Sequence, residues 1–140
     1  FPAFADPLAA GLAAGCGLPP RSPAEPPIDR EAADIGRRLV SASGGFACVT
    51  CHAIGGFQAT AVFEAPGVNF ALTGERILPE YFRRWVRHPQ SIDPTTKMPL
   101  YFDEEGNSAL TDFYEGDGPR TIEALWNYLR QGPNLPPPVP

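Results

Sequence analysis

Apolar residues fall in three helical stripes separated by long irregular stretches. Ile28, Ala32, Ile35 and Leu39 recur at a spacing of three or four, the period of one helix face, with Asp29 as the N-cap. This predicts a helix from Ile28 that fails near Ser43-Gly44-Gly45. A second helix starts at Pro79, where a missing N–H costs nothing, carries Phe82, Trp85 and Val86, and stops before Pro89. A third fits 119–131, with Ile122, Leu125, Trp126 and Leu129 on one stripe and Gly132-Pro133 ending it. Residues 53–78 and 89–118 read as loops punctuated by Gly and Pro. No internal repeat stands out.

Composition changes the picture at both ends. Of the 18 prolines, seven lie in the first 27 positions and five in the last eight. Both ends therefore read as extended, polyproline-like segments rather than helices. The division is an arm at 1–27, a helical domain at 28–132 and a tail at 133–140. Within the arm, Leu12-Ala13-Ala14-Gly15-Cys16 partly matches a lipoprotein cleavage box, although an unmodified thiol or an intermolecular disulfide partner is the simpler role for Cys16. No cationic stretch followed by an apolar one marks an export signal. No run of 18 or more apolar residues marks a transmembrane helix.

Formal charge is -5 over 140 residues. That argues against nucleic acid and anionic membrane surfaces as partners and favours docking against a basic patch on another protein.

The decisive chemistry lies in Cys48-Val49-Thr50-Cys51-His52. Covalent haem attachment needs two thiols that reach two vinyl groups of one porphyrin, and an imidazole beneath the iron. C-x-x-C-H supplies all three in five residues. Two other chemistries use a C-x-x-C pair. A redox dithiol normally opens a helix after a strand, and no βαβ pattern is present. A zinc site needs two more ligands, and only Cys16 and His88 remain.

A haem iron that carries electrons usually takes a second axial ligand, and a thioether raises its potential relative to a second imidazole. The single methionine, Met98, lies 46 positions after His52 in Lys97-Met98-Pro99, between two helices. A lone methionine is otherwise core filler. His88, in Arg87-His88-Pro89, competes for the iron, or is a surface or capping residue. The carbonyl of Pro66 is a candidate acceptor for the other nitrogen of His52. Among the aromatics, Trp85, Tyr101 and Trp126 are candidate haem contacts. The cluster Arg83-Arg84-Arg87 suits haem propionates, a partner or simply a solvated helix face.

Together these residues resemble a class I, mono-haem cytochrome c over about residues 28–132. The resemblance rests on Gly36 and Val40, Cys48 to His52, Pro66, Met98-Pro99 and Leu125 through Leu129. The stretch from Gly67 to Arg76, then Leu78 to Phe82, Trp85 and Lys97-Met98-Pro99, is similar to C-terminal cytochrome c domains of planctomycete-type haem-binding proteins. Cytochrome subunits of respiratory complexes are similar too. The resemblance implies an all-α fold, three to four helices around one covalently bound haem c. It implies an axial pair carried onto His52 and Met98, and a crossing of the first and last helices with Gly36 against Leu125 or Tyr128. It also implies a non-enzymatic electron carrier between redox proteins, periplasmic or on the extracytoplasmic surface. The alternatives are a docking subunit of a larger electron-transfer assembly, or a haem peroxidase or gas sensor with a labile methionine.

Overall fold

The computed structural model describes residues 2–17, 24–62 and 64–139. Five α-helices are present among them: α1 (Pro2–Gly15), α2 (Arg30–Leu39), α3 (Thr73–Arg76), α4 (Pro79–Arg87) and α5 (Gly118–Leu129). Strands are absent from the described residues; only isolated bridges occur, including His52 with Gly67. The protein is all-α, as the stripes predict.

Two helices go beyond the three predicted. The four-residue α3 lies in the stretch read as irregular. More telling is α1, which replaces the expected extended arm. Most prolines of that arm sit at or beyond position 19, leaving Pro7 alone inside a segment with six alanines. Pro7 removes one backbone hydrogen bond, but alanine is the strongest helix former and Pro2 stands at the helix start, where no N–H is missed. Phe4, Leu8 and Leu12 share one face of α1 and are all exposed. Residues 18–23 of the arm lie outside the described residues.

The core is built by α2 crossing α5. Asp29 caps α2 as predicted, accepting from the Ala32 N–H at 3.1 Å. Leu39 is buried as the stripe predicts, but Ala33 and Gly36 complete the buried face in place of Ala32 and Ile35, which are half-buried, and Ile28 is exposed. The cause is the crossing itself. A Cβ at Gly36 would lie 2.1 Å from the Ala124 carbonyl oxygen and 2.8 Å from Tyr128 Cβ. The backbones can approach this closely only with glycine there. The expected contact with Tyr128 is present, and Ala124 stands where Leu125 was expected. Helix α5, capped by Asp117 through the Arg120 N–H, buries Ile122, Leu125, Trp126 and Leu129 as predicted, with Tyr128. Helix α4 buries Phe82 and Val86 and lays Phe82 against Trp126 at 5.1 Å.

Both flanking segments are strapped to this core. Glu25 accepts from the Trp126 indole N–H at 2.7 Å, and Arg130 donates to the carbonyls of Pro26 and Pro27. The Tyr128 hydroxyl donates to Pro136 O at 2.6 Å, and Arg37 donates to Pro137 O. The proline-rich tail, expected to be extended, opens in a 3-10 turn at Gly132–Asn134, carries no helix or strand over 135–139, and is bonded to its own domain.

Candidate functional site

The C-x-x-C-H segment is fixed by the chain that leaves α2. The N–H groups of Phe46, Ala47 and Val49 donate to the carbonyls of Leu39, Ser41 and Val40. Making that return requires Ala47 in the left-handed region, φ 56°, a conformation that costs an L-residue roughly 1–2 kcal/mol. Val49 is buried and anchors the segment. Cys48–Thr50 then form one 3-10 turn, in which side chains three apart eclipse. Cys51 caps that turn, three residues after Cys48 and close enough for its charge to act on the Cys48 thiol. The His52 N–H closes back on the Cys48 carbonyl at 2.9 Å.

The imidazole of His52 is held on two sides. Its ring stacks on Phe70 at 4.4 Å, and Nδ1 lies 2.9 Å from the Val68 carbonyl. A carbonyl only accepts, so Nδ1 carries the proton and Nε2 keeps a free lone pair. Burial pushes the pKa of His52 down, and the Val68 bond opposes this in part. The ring is therefore neutral at pH 7, the form that binds a metal.

The acceptor predicted for the other nitrogen of His52 is corrected here: it is the carbonyl of Val68, two residues beyond Pro66. The Gly67 N–H is drawn to the Cys51 carbonyl at 2.8 Å, and the Gly67 backbone lies against the imidazole. A Cβ on Gly67 would lie 2.4 Å from His52 Nδ1. With Gly67 committed in this way, the carbonyl that reaches the ring is the next one along. Asn69 secures the loop with paired bonds to the Gly55 N–H and carbonyl, both 2.9 Å.

Met98 is held from α4 and the loop after it. The Trp85 indole N–H points at Met98 Sδ at 3.0 Å, with Tyr81 stacked on Trp85. Gln90 donates to the Met98 carbonyl at 2.7 Å, and the Met98 N–H donates to Thr96 Oγ1 at 3.3 Å. The sulfur, the carbonyl and the N–H of Met98 thus each have a partner. An ion pair of 3.2 Å joins Lys97, beside Met98, to Glu64 in the loop that leads to Val68.

Tyr101 sits with the thiols. It packs against Phe46 at 4.6 Å, and its hydroxyl pKa is pushed up by burial first, then by the charges of Cys48 and Cys51. Burial also pushes the Cys48 thiol up to about 12, with a smaller contribution from Cys51. An attacking redox cysteine needs the opposite shift. Trp126 is placed differently from Trp85 and Tyr101: it sits at the α4–α5 contact with its indole turned to Glu25. His88 accepts the Ser91 N–H at 3.0 Å and caps a short turn, which is its bland role from sequence. Cys16 is exposed at the end of α1, and no group of three or more His, Cys, Asp or Glu among the described residues is arranged to hold a metal ion.

The donor set fits a haem c. Two thiols three residues apart, an imidazole with Nε2 free of the Val68 bond and a thioether held by hydrogen bonds are the groups it requires. Sequence reasoning missed Val68, Gln90 and Thr96, which contribute backbone atoms or bonds across several residues and carry no motif. The chain matches no protein-family model and no curated protein, so its function is argued from its own residues.

Proposed function

We propose that the protein is a one-electron carrier with a single haem c, joined through thioether bonds to Cys48 and Cys51 and ligated by His52 and Met98. The supporting observation is the His52 environment: one nitrogen is bonded to Val68 O at 2.9 Å, so the other is free in a neutral ring. The haem supplies an iron that alternates between Fe(II) and Fe(III). The chain's own residues do the rest. Val68 fixes the imidazole's orientation and tautomer. Gly67 lets the backbone lie against the ring. Trp85 holds the Met98 sulfur and draws electron density from it, which favours Fe(II). Tyr101 and Phe46 cover the thiol side and keep water away.

A rigid ligand set suits a carrier, because little rearranges on each transfer. This reading places the protein in the class I cytochrome c family and outside the cytoplasm, in the periplasm or on the cell surface, passing electrons to redox partners with basic docking patches. Among the described residues, no helix is long and apolar enough to cross a membrane.

One observation favours a second role, as a docking subunit of a larger electron-transfer assembly. The apolar face of α1, with Phe4 at 73% exposure, is uncovered on this chain. Glu25 to Pro27 and Pro136-Pro137 are held by bonds within the chain. The visible spectrum and redox titration of purified protein test the main proposal. A reversible one-electron transition with a haem c spectrum supports it, and a protein with no visible absorption contradicts it.

A further inference from the structure

A second, unrelated feature lies between α4 and α5, where a groove of about 490 Å³ is lined by Arg83, Arg87, Arg120, Tyr114 and Ile122, among others. Its three arginines are not equivalent. Arg83 is already paired with both carboxylate oxygens of Glu123. Arg87 and Arg120 have no carboxylate partner among the described residues. The Arg120 guanidinium carbon lies over the Tyr114 ring, 4.2 Å from its centroid, a cation–π contact that consumes none of its N–H donors. Arg87 packs on bare backbone: a Cβ at Gly106 would lie 2.9 Å from its Nη2.

The groove's two carboxylates, Asp29 and Glu123, and its amide Asn127 already have partners. Asp29 caps α2. Asn127 accepts from Asp29 N–H and from Arg130, and donates to Glu123 O. Tyr114 and Glu115 stand in the left-handed region, at φ 52° and 57°. Tyrosine pays heavily for that conformation, roughly 1–3 kcal/mol, and here it sets the ring beneath Arg120. On a chain of charge -5, two unmatched guanidiniums facing one groove over an apolar floor call for an anion.

We infer that this groove binds a small oxyanion, a carboxylate or phosphate monoester, held between Arg87 and Arg120 with its body over Ile122 and Ala32. This does not rest on the haem proposal.

The test is an NMR titration of the full chain with inorganic phosphate, read at the arginine Nε–H signals and compared with sodium chloride at equal ionic strength. Saturable shifts at Arg87 and Arg120 are expected. Arg87→Gln and Arg120→Gln should each weaken phosphate by about tenfold, while Arg84→Gln, on the same helix but outside the groove, should leave it within twofold. Phosphate shifts no larger than those of chloride would overturn the inference. So would an Arg84→Gln loss equal to that of Arg87→Gln.

Discussion

The two sides of the proposed iron site are built in opposite ways. The His52 side is local. Two thiols and the imidazole come from five consecutive residues, and the groups that hold the ring, Gly67, Val68 and Phe70, all come from one short stretch of loop. The Met98 side is assembled. Its sulfur is held by Trp85 from α4, its carbonyl by Gln90 and its N–H by Thr96. Covalent chemistry tolerates little error in placement, so its residues are packed into a motif. A thioether is a weak, exchangeable ligand, and a scaffold of hydrogen bonds can position it.

Breaking the local side should have the largest effect. His52→Ala removes the imidazole beneath the iron, and purified protein should lose its low-spin haem spectrum and most of its haem. Retention of a normal spectrum would mean another residue serves as the proximal ligand. Next in size is Met98→Ala. It should leave the haem covalently attached, abolish the weak far-red band of the oxidised protein and lower the potential. An unchanged spectrum and potential would remove Met98 from the site.

Gly36→Ala tests what the two sides share. The new Cβ has no room at the α2–α5 crossing, and overpacking there should cost about 1–3 kcal/mol of stability in chemical denaturation. Both ligands should still bind in whatever fraction folds. A variant as stable as wild type would mean that the crossing is looser than described. The smallest effect belongs to Trp85→Phe, which keeps an aromatic ring but deletes the N–H. It should lower the potential modestly and speed displacement of the methionine by added imidazole, with the His52 side untouched. No change in either quantity would leave Trp85 a packing residue only.

The same contrast explains what was legible in the chain. Cys48 to His52 could be read because the chemistry fits inside one turn. α4 and α5 could be read because Pro79 and Gly132-Pro133 mark their ends and their stripes are regular. The stripe of α2 holds at Leu39 but gives way to Ala33 and Gly36 further up, since apolar spacing gives a helix face to within a residue while a small-residue crossing decides which residues are buried. The extended arm was inferred from a proline count over 27 positions, although most of those prolines follow the alanine-rich stretch that forms α1. Val68 was hidden because the position of the Gly67 backbone, not a side chain, selects it. Pairs such as Trp126 with Glu25, 101 positions apart, are products of the fold and leave no trace in sequence spacing.

The most direct test of the central claim is an intact mass of the protein exported from a host that carries haem c attachment machinery, run beside the Cys48→Ala, Cys51→Ala double variant. The account predicts wild-type protein heavier than its polypeptide by one haem that survives denaturation, and a double variant without that addition. A wild-type mass equal to the bare polypeptide would contradict it.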